Sequence, residues 1–260
     1  MQEIEITFIK GGIASKKLDF ITEEVPLTIE INKKEIATLL CSPRDLKELS
    51  IGFAYTSSLI KDISSVKNIV IDEERWKASL ETDLSGLDEN IAFKRLYTSG
   101  CGKGIIFYSA GDLINRNKLS EGLKVEASKI TEAMANFTQS SEEFKKTGGV
   151  HSAALCNKEG GVLNFKDDIG RHNAVDKVIG TALLNKINFE DKFVLLSGRI
   201  SSEIFFKLKK CGISIIASIS APTNQAVKMA KEMNLTLIGF VRGRRMNVYS
   251  AEARIVIQAL

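Results

Sequence analysis

The last third of the chain constrains the fold more than any other stretch. Residues 193–196, 213–219 and 235–241 are short apolar runs of strand length, and residues 201–210 and 223–233 between them carry helical apolar spacing. Cys211-Gly212 closes the first helix and Asn234 the second. A β-α-β-α-β run of this kind predicts three parallel strands joined by right-handed crossovers. Their carboxyl ends then face one side of the sheet, where open α/β sheets take ligands.

The residues that leave those strands share a chemistry. They are Ser197-Gly198-Arg199, Ser220-Ala221-Pro222-Thr223 and Arg242-Gly243-Arg244-Arg245. The first two lead into helix N-termini, whose free N–H groups and positive dipole end attract anions. Glycine allows close backbone approach, and arginine offers forked donors that match phosphate. Each segment alone is ordinary turn chemistry; the three together predict a phosphate-rich polyanionic ligand. A net charge of +4 over 260 residues is mild, and aromatic residues do not interleave with the basic ones, so nucleic acid is not expected.

Upstream, residues 5–9, 25–31 and 35–40 are extended, the last two joined as a hairpin through Asn32-Lys33-Lys34. Ser42-Pro43-Arg44-Asp45 reads as a helix start, with Ser42 as N-cap and Pro43 in the first turn. Leu46, Leu49, Phe53 and Ile60 supply the apolar stripe, and strands are expected at 66–71, 76–80 and 91–96. A single helix follows over 128–146, ended by Gly148-Gly149; then a hairpin of 150–156 with 162–165, and a helix after Asp168-Ile169-Gly170-Arg171-His172-Asn173. The expected fold class is therefore α/β, with a small α+β domain over 1–112 and an α/β domain over 113–260. No apolar stretch is long enough to cross a membrane, and the first residues carry acid and no apolar core of a signal peptide, so a cytoplasmic location is expected.

The four cysteines, Cys41, Cys101, Cys156 and Cys211, form no C-x-x-C pair, which argues against a zinc site and structural disulfides. Three end apolar segments and read as small buried hydrophobes. Cys101 instead sits in Tyr97-Thr98-Ser99-Gly100-Cys101-Gly102-Lys103-Gly104, where glycine gives mobility and Lys103 favours the reactive thiolate. The alternative is a glycine-rich turn with an incidental cysteine. Of the two histidines, His172, beside Arg171 and after paired acids, is the better candidate for a phosphate contact or proton donor. No H-x-E with a later P-C-x-x-C is present, which excludes zinc deaminase chemistry.

Taken in order, several segments resemble the FdhD family of formate dehydrogenase accessory sulfurtransferases over nearly the whole chain. They are Ser42-Pro43-Arg44-Asp45-Leu46 through Gly52-Phe53, Ser99-Gly100-Cys101-Gly102, Thr147-Gly148 with His151, the ten residues from Asp168 to Lys177, Ser197-Gly198-Arg199 with Ser201 and Glu203, Ser220-Ala221-Pro222, and Gly239-Phe240-Val241-Arg242-Gly243 to Tyr249. The resemblance implies a C-terminal domain of cytidine deaminase architecture, without its zinc chemistry. It implies a sulfur carrier: a cysteine desulfurase loads Cys101 as a persulfide, and the sulfur passes to a molybdenum bis(molybdopterin guanine dinucleotide) cofactor, or its tungsten analogue, before insertion into formate dehydrogenase. It also implies that Phe240, Val241, Arg242, Gly243, Arg244 and Arg245 bind the cofactor, and that the protein is a homodimer. Ser197, Gly198 and Arg199 join that site as strand-end residues, and His172 as a phosphate contact or proton donor. Many family members carry C-G-x-C at the loop; here the second position is Gly104, so no second thiol is available there. The competing function is a cofactor-binding chaperone that delivers the cofactor without moving sulfur. A nucleotide-dependent enzyme of deaminase-like fold is a third, and it lacks a recognisable base and metal set.

Overall fold

The computed structural model describes residues 1–83, 96–97, 105–106, 117–120 and 122–257. The chain opens with β1 (Gln2–Lys10) and β2 (Ile13–Ile21), a separate two-stranded ribbon turned at Gly11-Gly12, where both residues have positive φ. Next come β3 (Val25–Ile31), β4 (Lys34–Cys41), α1 (Leu46–Thr56), β5 (Val66–Asp72) and β6 (Lys77–Thr82). The four strands form a sheet in the order β4-β3-β6-β5. The β3–β4 hairpin turns on Asn32 and Lys33, both left-handed, as a two-residue turn matched to strand twist requires. Period-two alternation buries Val25, Leu27, Ile29 and Ile31, which share one hydrophobic cluster with Leu46, Leu49 and Phe53 of α1.

After β7 (Leu96–Tyr97) and β8 (Ile105–Ile106), which pair antiparallel, the chain builds a second, larger unit. Its elements are β9 (Val125–Glu126), α2 (Ala127–Ser140), α3 (Glu142–Thr147), β10 (His151–Asn157), β11 (Val162–Asp168), α4 (Arg171–Leu184), β12 (Lys192–Leu196), α5 (Ser202–Lys210), β13 (Ile215–Ser218), α6 (Asn224–Glu232), β14 (Thr236–Arg242), β15 (Arg245–Ser250) and β16 (Ile255–Val256). Six of these strands make one mixed sheet, β11-β10-β12-β13-β14-β15. β12, β13 and β14 are parallel, as the β-α-β-α-β reading requires, and the flanking strands are antiparallel. Apolar residues of α4, α5 and α6 cover one face, and α2 covers the other through Ile130, Ala133, Met134 and Phe137. The fold is thus a mixed α/β arrangement with several mixed sheets. No helix among the described residues is long and apolar enough to cross a membrane.

Helices α1 and α4 hold the two units together. A Cβ placed on Gly52 would lie 1.8 Å from the Asp176 carbonyl oxygen, and one on Gly180 would lie 1.9 Å from that of Glu48. Only glycine permits this backbone approach.

Two local readings are corrected. Ser42 does not cap α1: the helix begins at Leu46 with Asp45, in a left-handed conformation, as its N-cap. Ser42 is buried and binds the C-terminal unit, donating its N–H to Asp168 Oδ2 (3.1 Å) and accepting from Ile169 N–H at its hydroxyl (3.2 Å). The side-chain oxygen that sequence logic gives to a helix start was worth more to a buried carboxylate loop. The helix expected over 128–146 is two helices. Ser141 turns extended, accepts from Phe144 N–H (2.9 Å) and starts α3, which Gly148 ends in a left-handed turn. The strand expected at 91–96 lies largely outside the described residues.

Candidate functional site at the carboxyl edge of the sheet

The parallel strands bring the three singled-out segments to one edge and bond them to each other. Ser218 Oγ donates to the Gly198 carbonyl (2.7 Å) and accepts from Ser220 N–H (3.0 Å). Ile200 forms a parallel bridge with Pro222, and Phe240 N–H donates to the Ser220 carbonyl (3.1 Å). Ser201 and Thr223 cap α5 and α6, accepting from Ile204 and Ala226 N–H groups, so both helices start from this edge. Arg199, Arg242, Gly243, Arg244 and Arg245 are exposed along it. The row is basic, rich in backbone donors and open to solvent, which is the donor set a polyphosphate needs.

Backbone conformation re-aims the arginine segment. Phe240 has φ +53° inside β14, and the β14–β15 register shifts between Gly239 and Arg242. A bulky residue in the left-handed region costs on the order of 1–2 kcal/mol, and such strain collects where structure serves function. Gly239 is required here, since a Cβ would sit 3.0 Å from Pro222 Cδ and the Ser220 carbonyl oxygen. Beside the hairpin lies a cavity of about 320 Å³ lined by Thr131, Met134, Thr138, Ile219, Val241 and Gly243 among others. It is mostly apolar and opens beside Arg242.

At the β10–β12 end of the same edge the two histidines approach each other. His151 Nδ1 lies 3.4 Å from Ser197 Oγ, which also accepts from Ser152 N–H (2.8 Å). A Cβ on Gly198 would meet Arg171 Cβ and His151 Nδ1, each at 3.2 Å, so this glycine leaves room for both. His172 Nε2 is 2.6 Å from Glu203 Oε2, and both side chains are largely buried. Burial pushes the His172 pKa down, opposed by Glu203 and reinforced by Arg171 and Lys207. Burial likewise lowers His151, helped by Arg171, His172 and Arg199. Both rings are therefore held toward the neutral form at physiological pH.

The ten-residue segment from Asp168 to Lys177 divides by role. Arg171 and His172 reach the edge, whereas Asp168 and Lys177 form a wholly buried ion pair at 2.7 Å. Asp168 also accepts from the N–H groups of Ser42 (3.1 Å) and Gly170 (2.8 Å) and from Asn173 Nδ2 (2.9 Å). Asp176 accepts from Thr56 Oγ1 (2.7 Å) and from Lys207 Nζ at both oxygens (2.8 Å). These contacts anchor the first turns of α4 to the N-terminal unit. Glu203, Ser218 and Lys207 carry no local sequence signal as partners, because each acts through a residue distant in sequence.

Cys41, Cys156 and Cys211 are buried, as expected. Burial raises the thiols of Cys41 and Cys156 to about 12 and pushes Cys211 up further. Cys101 lies outside the described residues, as do Lys103 and Gly104, between the paired β7 and β8. Among the described residues no group of acidic, histidine or cysteine side chains could hold a metal ion.

A mixed α/β protein with a basic, anion-suited edge is thus the class that the geometry defines. Residues 22–256 match the family model described as FdhD/NarQ family. The chain is 41% identical over 247 residues to the "Sulfur carrier protein FdhD" of Bacillus pumilus, covering 95% of this chain and 94% of that protein. It is 41% identical over 245 residues to the protein of the same name from Bacillus subtilis, covering 94% and 93%. Its fold is similar to a crystal structure from Desulfotalea psychrophila described as that of a formate dehydrogenase accessory protein, with a TM-score of 0.78, 25% identity, and 98% and 99% of the two chains covered. The chain belongs to the FdhD/NarQ family.

Proposed function

We propose that this protein is a sulfur carrier for formate dehydrogenase maturation that holds sulfur as a persulfide on Cys101 and passes it to a bound guanine-dinucleotide metal cofactor. The observation that carries the reading is the state of the other cysteines. Three of the four are buried with raised thiol pKa values, and a persulfide relay runs on accessible thiolate. Cys101, among glycines and two residues before Lys103, remains. Its thiolate attacks the terminal sulfur of a desulfurase persulfide, the new S–S bond forms at Cys101, and the donor leaves as thiolate. With Gly104 at the second loop position, a single thiol receives and delivers the sulfur.

The cofactor is substrate here, molybdenum or tungsten bis(molybdopterin guanine dinucleotide). Arg199, Arg242, Arg244 and Arg245, with the starts of α5 and α6, suit its pyrophosphates, and the apolar cavity beside Gly243 suits a flat guanine ring. The C-terminal unit, from 113 onward, is assigned to a cytidine-deaminase-like architecture in the same reading, the N-terminal unit covering 1–112. Arg244→Ala and Arg245→Ala should weaken GDP binding, read by calorimetry, while leaving Cys101 loading intact; unchanged binding in both refutes the site. A cofactor chaperone that moves no sulfur is the competing reading. It predicts that Cys101→Ser still supports formate dehydrogenase maturation, whereas the sulfur carrier predicts loss.

A further inference from the structure

The β10–β12 corner of the edge gathers cationic side chains that the arginine hairpin after β14 does not require. His151 opens β10, Arg171 and His172 open α4, and Ser197-Gly198-Arg199 leaves β12. Gly198 packs between two of them: a Cβ there would meet Arg171 Cβ and His151 Nδ1 at 3.2 Å and Arg171 Cδ at 3.3 Å. Arg171 and Arg199 both act on the His151 ring and hold it toward its neutral form. These two guanidinium groups carry like charge, which an anion between them relieves. The acids nearby are already engaged. Glu203 holds His172 Nε2 at 2.6 Å, and Asp168 is wholly buried against Lys177 and the donors of Ser42, Gly170 and Asn173.

What the corner has left to offer is donors. Ser197 Oγ accepts from Ser152 N–H and holds His151 on its Nδ1 side, at 3.4 Å, so Nε2 is the ring nitrogen left for a ligand. Gly170, the N-cap of α4, brings no side chain to close the first turn, and the positive end of the helix adds to the field of the arginines. His151 and Arg171 are partly buried and Arg199 is exposed, so the corner is open to solvent.

We propose that this corner is a second anion subsite, separate from the arginine hairpin, and that His151 and Arg171 there bind the metal end of the cofactor, an oxo- or thio-metallate group. The inference rests on the cofactor reading given under the proposed function. In the sheet order β14 stands two strands from β12 and three from β10, about 10–14 Å at the usual strand spacing. A ligand whose nucleotide sits at the hairpin therefore has a further part at the corner, with Arg199 between the two. The pyrophosphates already have donors in Arg242, Arg244, Arg245 and the starts of α5 and α6. The metal centre, where sulfur is to be added, is the anionic part of the ligand that lacks them, and the corner supplies two guanidinium groups and an imidazole to hold it.

Calorimetry on the full-length protein at pH 7.5 tests this, with sodium tungstate as the probe for the metal end, inorganic phosphate as the probe for a pyrophosphate, and GDP for the nucleotide. Tungstate and GDP should bind together, neither displacing the other, and phosphate should bind the corner more weakly than tungstate. His151→Ala and Arg171→Gln should each weaken tungstate at least about tenfold, the worth of one charge-assisted hydrogen bond, and leave GDP binding as it was; Arg244→Ala should do the reverse. Competition between tungstate and GDP, tungstate binding unchanged in both corner variants, or phosphate binding as tightly as tungstate would each overturn the proposal. Hairpin variants that leave GDP binding unchanged would remove the nucleotide site instead, a separate result, since the tungstate measurements do not depend on it. Should the corner variants fail to fold, ring NMR of the wild-type chain decides, its two histidines told apart with His172→Gln: tungstate must raise the pKa of His151 and GDP alone must not, and a His151 that tungstate leaves unmoved refutes the subsite.

Discussion

Replacing Lys177 by methionine tests the buried network beneath the site. Lys177 and Asp168 are both wholly buried and 2.7 Å apart. Methionine keeps the length and most of the volume of the lysine stem, so packing changes little. What remains is an uncompensated carboxylate. Removing one partner of such a pair costs about 3–5 kcal/mol, and the three other donors to Asp168, from Ser42, Gly170 and Asn173, place the expected loss near the lower end, about 3 kcal/mol. Asp168→Asn strands the ammonium instead and should cost a similar amount. In a double-mutant cycle the pair should lose at least about 1 kcal/mol less than the sum of the single changes, since neither charge is then left alone. Urea unfolding at pH 7.5, with midpoint and slope fitted separately, gives all four corners. A loss under about 1 kcal/mol for Lys177→Met, or strict additivity, would refute the view that this pair locks α4 to the Ser42 segment.

Further tests follow from the packing and the titrating groups. Gly180→Ala should destabilise by about 1–3 kcal/mol or more, because the added methyl meets the Glu48 carbonyl oxygen at 1.9 Å; a neutral midpoint in urea would contradict the close α1–α4 contact. The depressed folded pKa values of His151 and His172 mean that below about pH 6.5 the unfolded chain binds protons that the folded chain resists. Stability should therefore fall as pH drops from 7.5 through 6.5, and His172→Gln should show a shallower fall than wild type; an equal or steeper fall refutes the assignment. Iodoacetamide at pH 7.5 should label Cys101 alone in the folded protein and all four cysteines after unfolding, read by peptide mass spectrometry. Native labelling of Cys41, Cys156 or Cys211 would contradict their burial.

Much of this was legible in the sequence because local rules were enough. The parallel strands β12, β13 and β14 announced themselves as apolar runs separated by amphipathic helices, and their carboxyl ends meet at one edge because the sheet is parallel. The β3–β4 turn and the three buried cysteines were equally local. What failed was tertiary. Ser42 looks like a cap in isolation and serves a carboxylate 126 residues away. Ser141 broke a continuous apolar stripe because its hydroxyl could start a new helix. Strand β2 was missed since its apolar residues point to both faces and give no clean alternation. Glu203, the partner of His172, lies one strand and a helix start away, beyond any local pattern around the ring.

Incubating the protein with a cysteine desulfurase and cysteine, then reading intact and peptide masses without reductant, tests the central claim most directly. The account predicts one added sulfur per chain, located on Cys101 and lost in Cys101→Ala. Full loading of the Cys101→Ala variant, on Cys41, Cys156 or Cys211, would contradict it.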